Sequence, residues 1–331
     1  MTALLATGGA GYIGGQCVRE LLDLGHEVVV YDNLSTGRRE LVPSQAALVV
    51  GDVRDGERLR RTLVEHGIGA VLHFAGLISV PRSFERPLDY YQVNTGGMAS
   101  LLEAAAGTTV RAVVFSSTAA VYAPRETPID ETAAVSPASP YGASKLMAER
   151  ILQDGAAQAG VAYAILRYFN VAGADPLGRC GPVNAGAEDI FQRALACAAG
   201  EIDTLPIFGD DYPTPDGTGV RDFIHVKDLA ALHVAALAWL ERKAAGEGEV
   251  FNCGYGRGAS VRQVVQAVGR AAGAPLATTT APRRPGDLAQ VVADSRKAAA
   301  AFDWRPRWPS VDAMAEHAWA WRRRSTVIGQ A

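Results

Sequence analysis

Short, largely apolar runs alternate with longer segments of mixed polarity through the first half of the chain. Leu4–Thr7, Glu27–Tyr31, Leu48–Val50, Ala70–Phe74, Ala112–Ser116 and Ala164–Tyr168 predict strands. Between them, Gly14–Asp23, Glu57–His66, Asp89–Ala106 and Tyr141–Ala159 predict helices. The strands are apolar throughout instead of alternating, as burial on both faces of a sheet requires. Alternation of strand and helix builds right-handed crossovers and a parallel sheet. The expected class is α/β, with a Rossmann-type doubly wound parallel sheet over residues 1–172.

After about Gly173 the rhythm is lost. Ala172–Gly186 is rich in Gly, Pro and Asn and predicts a loop leaving the sheet. Helices are expected at Ile190–Ala199, Asp228–Arg242, Ser260–Ala272 and Ser310–Arg322, a strand near Thr204–Phe208, and turns over Gly209–Gly219. Residues 173–331 therefore read as a smaller, mixed α/β substrate lobe, with the part around 221–242 packing back on the first domain.

Composition narrows the classes of partner. With 48% hydrophobic and 20% charged residues, the 331-residue chain has ample material for a core. A net charge of -3 gives no reason to expect nucleic acid or a membrane surface. No apolar stretch approaches a membrane span. Cys17, Cys180, Cys197 and Cys253 are too scattered for a metal knuckle or redox pair, and no His or Cys spacing suggests zinc. The opening residues carry no basic leader, so the expectation is a cytoplasmic protein with reduced thiols.

The first strand runs into Gly8-Gly9-Ala10-Gly11-Tyr12-Ile13-Gly14. Gly8 suits the tight turn, Gly11 lets a pyrophosphate approach the backbone, and Gly14 lets helix and strand pack closely. The following helix aims its free N–H groups and positive dipole end at the phosphates. Asp32 ends the second strand, where a carboxylate accepts both adenosine ribose hydroxyls and repels a 2′-phosphate. Together they indicate a dinucleotide, NAD in preference to NADP, although Arg38 and Arg39 lie nearby. Asp52 ends the third strand and reads equally as an adenine contact or a turn residue.

Tyr141 and Lys145 lie four apart behind a helix start at Ser139-Pro140, so they share one face. Bringing a phenol from a pKa of about 10 toward 7 needs roughly 4 kcal/mol. A cation about 6 Å away, at an effective dielectric near 20, supplies roughly 2.8 kcal/mol. Lys145 alone falls short, and an oxidised nicotinamide would close the gap. Upstream, Phe115-Ser116-Ser117-Thr118 ends a parallel strand, where ligands bind. Thr118 or Ser117 could hydrogen-bond the reacting oxygen, while strand-end capping is the alternative for Ser116 and Ser117. His73 sits in an apolar strand and reads as a satisfied core residue.

These motifs resemble the extended short-chain dehydrogenase/reductase family, and within it the epimerases of nucleotide sugars. The resemblance runs nearly end to end. It also rests on Asp32-Asn33-Leu34, His73-Phe74-Ala75-Gly76-Leu77, Arg167-Tyr168-Phe169-Asn170, Ile207-Phe208-Gly209, Asp216–His225 and Ala281–Leu288. It implies a homodimer and NAD-dependent 4-epimerisation of a UDP-sugar of the glucose/galactose type through a 4-keto intermediate. Tyr141 would be the base, Lys145 its partner, and Thr118 a contact to the sugar. The cofactor site would add Tyr12, Ile13, Asn33, Leu34, Ser35, Thr36, Gly37, Asp52, Val53, Phe74, Ala75, Gly76, Leu77, Asn94, Ser116 and Phe169. Arg221, Arg284 and Asn170 would hold the diphosphate, Phe208 would lie against uracil, Asp287 would bind the ribose, and Val291 would bound the sugar. Dimers of the family commonly form through helices matching Asp89–Ala106 and Tyr141–Ala159.

Departures from the family pattern fall at three places. Ile78 stands where relatives often carry a lysine near the cofactor phosphates, and Glu188 and Asp189 where they often place Asn or His beside the diphosphate. Val291 leaves room for a substituent such as an N-acetyl group. A UDP-N-acetylhexosamine, UDP-pentose or UDP-uronate epimerase is therefore a close alternative. A 4,6-dehydratase would carry Asp-Glu directly after Thr118, where this chain has Ala119-Ala120. A non-catalytic NAD-binding protein would have no use for the Tyr141–Lys145 pair.

Overall fold

Among the described residues, six strands and six α-helices build the first half of the fold. The strands are β1 (Ala3–Thr7), β2 (Val28–Asp32), β3 (Ala47–Val50), β4 (Ile68–His73), β5 (Ala112–Thr118) and β6 (Ala162–Tyr168). The helices are α1 (Tyr12–Asp23), α2 (Gly56–Glu65), α3 (Val80–Glu85), α4 (Pro87–Tyr90), α5 (Gly97–Ala105) and α6 (Pro140–Ala159). Next come β7 (Asn170–Ala172), α7 (Ile190–Ala198), β8 (Leu205–Phe208), β9 (Val220–Arg221), β10 (Phe223–His225), α8 (Val226–Leu240) and β11 (Gly248–Cys253). The chain ends with β12 (Ala259–Ser260), α9 (Val261–Ala272), β13 (Thr278–Ala281), β14 (Gln290–Val291), α10 (Arg296–Phe302) and α11 (Val311–Ile328). This computed structural model describes residues 2–125, 128–183, 189–284 and 286–328.

Seven parallel strands form the central sheet in the order β11–β6–β5–β4–β1–β2–β3. Thr7 lies opposite Tyr31 on one side and His73 on the other. Connections leave β1 toward one edge and return to β4 on its other side. That reversal opens a crevice at the carboxyl ends of the strands.

Alternate residues of each strand feed two separate cores. Leu5, Val29 and Tyr31 pack with Leu59, Met98 and Leu152 beneath α2, α5 and α6. Leu4, Val28 and Val30 pack with Val18, Leu229 and Phe251 on the other face. This two-sided demand explains the apolar strands, each large aliphatic contributing about 1.5–3 kcal/mol on burial. A third core, including Phe191, Phe223, Val264 and Met314, joins α7, α9 and α11. The later part of the chain also returns to the sheet: α8 packs on α1, and β11 pairs with β6.

The helix expected over Asp89–Ala106 is interrupted. Between α4 and α5, Tyr91–Gly96 widens into a π-type turn that buries Asn94. By contrast, α6 begins at the expected signal. The Ser139 hydroxyl accepts from Gly142 N at 3.1 Å, Pro140 occupies the first turn, and Gly160 closes the helix at φ +76°. Among the described residues no helix is long and apolar enough to cross a membrane.

Candidate active site

A cavity of about 570 Å³ opens at the carboxyl ends of the strands. The glycine loop lines it with Gly8, Gly11, Tyr12, Ile13 and Gly14, followed by Asp32, Asn33, Ser35 and Thr36 after β2 and Val53 after β3. Phe74, Ala75, Gly76 and Leu77 follow β4, Ser116 and Thr118 come from β5, Tyr141 and Lys145 from α6, and Phe169 from the end of β6.

Gly8 has φ +70°, and a Cβ there would lie 2.6 Å from Ala75 N. A Cβ on Gly14 would lie 2.4 Å from Gly8 O, so only glycine allows α1 to start this close to the turn. Gly11 caps α1 without any side-chain hydrogen bond. The first-turn N–H groups thus face the cavity without a side-chain acceptor, which fits a pyrophosphate. Asp32 is oriented by Ala10 N (3.0 Å) and Leu34 N (2.8 Å), and its remaining lone pairs fit a ribose diol. The residues present suit NAD.

Four residues expected at the cofactor are not among those lining the cavity. Leu34 packs into the sheet core from a left-handed backbone (φ 59°). Gly37 sits against Ala10, where a Cβ would meet its neighbour at 2.9 Å. Asp52 is gripped by Arg54 through Nε and Nη2, both at 2.8 Å, and by Asn33, which holds its pKa well below the usual carboxylate range. Asn94 accepts from Leu77 N (2.8 Å) and donates to Leu77 O and Ser144 Oγ, bracing the turn after β4 against α6.

Tyr141 and Thr118 both line the cavity. Burial pushes the pKa of Tyr141 up, the Thr118 hydroxyl partly offsets that rise, and the neighbouring Tyr90, edge-on at 6.4 Å between ring centroids, adds to it. Thr118 Oγ1 accepts from Ala120 N at 3.1 Å, which leaves the hydroxyl proton free to donate. Lys145 is buried, with Nζ 4.4 Å from the Phe115 ring centroid, and burial lowers its pKa to about 7. Lys145 is therefore not the full cation expected beside the phenol: without cofactor its charge is only partly held at neutral pH.

Ser117 is turned away from the cavity. Its hydroxyl donates to Glu149 of α6, which also pairs with Arg167 of β6. Of the two hydroxyls considered, Thr118 is the one that reaches the cavity. Ser116 bonds the phenol of Tyr168, a cavity residue that the sequence reading missed. Arg54 and Arg86 were missed as well, and both line the cavity beside the exposed Ile78. A lone Tyr or Arg within an ordinary strand or turn gives no periodic signal. His73 is only half satisfied: Nδ1 shares a hydrogen bond with Thr7 Oγ1 at 2.7 Å, while Nε2 has no partner, and burial lowers its pKa to about 3.

The expected substrate residues outside this cavity form a second cluster. Arg284 stacks over Phe208 at 4.0 Å. Arg221 Nη2 lies 3.3 Å from Asp287 Oδ1, and its Nη1 donates to Leu288 O. β9 pairs with β14, which sets Arg221 opposite Val291. Val291 and the cavity residue Phe169 pack on the same small core of Val121, Tyr122, Ile129 and Ala133. Asn170 N is held by Asp222 O at 3.0 Å. Asp189 caps α7 by accepting from Gln192 N at 3.0 Å, which gives that carboxylate a structural use. Glu188 lies outside the described residues.

A glycine-loop cofactor cavity, a Tyr–Lys pair beside a strand-end threonine, and a second cluster of arginines define the class. The chain belongs to the NAD dependent epimerase/dehydratase family, whose model matches residues 4–254. It is 47% identical to the UDP-glucose 4-epimerase of Azospirillum brasilense over 330 residues, covering 99% of this chain and 94% of that one. Its structure matches the UDP-glucose-4-epimerase of Stenotrophomonas maltophila, crystallised with NAD and formylated UDP-arabinopyranose, at TM-score 0.94 and 38% identity over 99% and 100% of the chains. It also matches the enzyme of Brucella ovis in complex with NAD, at TM-score 0.93 and 40% identity over 97% and 98%.

Proposed function

We propose that the protein interconverts the C4 epimers of a UDP-hexose of the glucose/galactose type by transient oxidation at C4. The observation that carries this reading is the convergence of Tyr141, Thr118 and Lys145 on the cavity that the glycine loop also lines. The full-length similarity to UDP-glucose 4-epimerases supports it.

NAD, held by the Gly8–Gly14 loop and Asp32, would supply the hydride acceptor and donor for C4. Tyr141 takes the proton of the 4-hydroxyl and later gives it back, with Thr118 donating to the same oxygen. Lys145 stabilises the phenolate. Arg221, Arg284 and Asn170 hold the diphosphate, Asp287 the ribose, and Phe208 the base. A firmly held nucleotide and a loosely held 4-keto sugar let the ring turn and present its other face. Elimination of water would need an acid and a base after Thr118, and Ala119-Ala120 supply neither.

On this reading residues 1–172 are the cofactor unit and 173–331 the nucleotide-sugar lobe, working in the cytoplasm. A homodimer is part of the proposal. Phe84, Leu88 and Met147 are 61%, 70% and 48% exposed on α3, α4 and α6, which pack on one another. Purified protein incubated with UDP-galactose and no added reductant is expected to yield UDP-glucose, and Tyr141→Phe to yield none. No conversion by protein that retains NAD would overturn the substrate assignment.

A further inference from the structure

Behind the Tyr141–Lys145 pair lies a cluster of charged groups that the mechanism above leaves unused. Tyr141, Lys145 and Glu149 follow one another at single-turn spacing along α6. Glu149 is 1% exposed. Its Oε1 accepts from the Ser117 hydroxyl and from Arg167 Nε at 2.9 Å, and its Oε2 accepts from Arg167 Nη2. Ser117 and Arg167 are themselves register partners across β5 and β6. The Arg167 guanidinium lies 4.8 Å from the Tyr122 ring centroid, and Tyr122 in turn donates to Asn252 at 2.7 Å.

A buried ion pair is a poor way to gain stability, because desolvation offsets the attraction and apolar residues of similar size do as well. Its location suggests another use. Ser117 is the residue before Thr118, so a bond from Ser117 to Glu149 ties the strand end carrying the hydroxyl to the helix carrying the phenol. Glu149 is also the carboxylate that acts on Lys145 in the direction opposite to burial.

We propose that the Glu149–Arg167 pair is a positioning device for Tyr141 and Lys145: Glu149 sustains the charge of Lys145 and, through Ser117, fixes Thr118 against α6. Arg167 keeps Glu149 aimed through paired hydrogen bonds from Nε and Nη2. The inference rests on Tyr141 acting as a base tuned by Lys145. The groups around the pair are few. Lys145 has Glu149 one turn along its own helix and the Phe115 ring from β5 beside it, and its charge acts on the buried His73 of β4. Tyr141 is flanked by Tyr90 from α4 and Tyr168 from β6.

With Glu149 neutral, Lys145 gives up its proton at lower pH, and Tyr141 loses the cation that favours its phenolate. The test is a phenolate absorbance titration of the NAD-bound protein, taken as the difference from its Tyr141→Phe variant. In Glu149→Gln, measured against Glu149→Gln/Tyr141→Phe, the Tyr141 onset is expected roughly one pH unit higher. If the single change prevents folding, Glu149→Gln/Arg167→Met leaves no unpaired buried charge and is expected to move the onset the same way. An unmoved onset, whatever happens to kcat, overturns the inference. The readout needs no substrate, so a protein that fails to epimerise UDP-galactose would sink the functional reading and leave this titration interpretable.

Discussion

The Arg284 guanidinium lies 4.0 Å from the Phe208 ring centroid, so the side chain proposed for the diphosphate covers the ring proposed for the base. An exposed cation–π contact is worth about 0.5–1 kcal/mol. A hydrogen bond to a charged partner contributes roughly 1.5–3 kcal/mol. The proposed diphosphate contact is therefore expected to draw Arg284 off the ring and free Phe208 for the base. Arg221 is likewise held in place, by Asp287 and Leu288 O.

Arg284→Ala is accordingly expected to raise KM for the UDP-sugar roughly ten- to hundredfold, with kcat changed much less. Steady-state kinetics and calorimetry with UDP check this. A loss confined to kcat would place Arg284 elsewhere in the reaction.

Lys145 exchanges stability for chemistry. Its pKa falls from 10.5 to about 7 in the fold, so between those values the unfolded chain binds a proton that the folded chain does not. Stability from this group therefore rises with pH across that window, by a few kcal/mol in order of magnitude. In NAD-free protein, Lys145→Met is expected to raise Tm at pH 7 and to flatten the gain between pH 7 and 9. In the NAD-bound enzyme, kcat should fall by about 10²–10⁴. Denaturant unfolding at the two pH values, with activity assays, tests both halves.

Acid should unfold the protein early. Burial lowers His73 and His225 to about 3 and His233 to about 4, against an ordinary value of 6.5. Each contributes stability that is present above pH 6.5 and lost as pH falls toward its folded pKa. Asp222, raised from 3.8 to about 6 by burial, opposes one of the three between those values. Tm should fall steadily from pH 6.5 to 4, and less steeply in His233→Phe, which keeps a ring against Phe74. An unchanged slope would show that His233 takes up its proton without unfolding the chain.

What the sequence made legible follows from periodicity and local chemistry. Leu4 and Leu5 serve opposite cores, so β1 reads as an unbroken apolar run, and Gly8 and Gly14 mark backbone contacts that a Cβ would break. The Ser139-Pro140 signal located α6, and with it Tyr141 and Lys145. Other features left no local trace. β9, β12 and β14 span two residues each, too short for any period. The edge strand β11 is partly exposed over Gly248–Val250, so its pattern is mixed. The break at Tyr91–Gly96 answers to Leu77 and Ser144 through Asn94, partners distant in sequence. Glu149 reads as an ordinary polar helix residue until β5 and β6 bring Ser117 and Arg167 to it.

The central claim is that the hydride leaves C4 and returns to the same carbon without meeting solvent. UDP-galactose carrying deuterium at C4, converted in ordinary water without added reductant, tests it most directly. The expected product is UDP-glucose that keeps the deuterium at C4 with the configuration inverted. Product with hydrogen from water at C4 would mean that the carbon is deprotonated to solvent, and would contradict a mechanism built on Tyr141, Lys145 and a retained NAD.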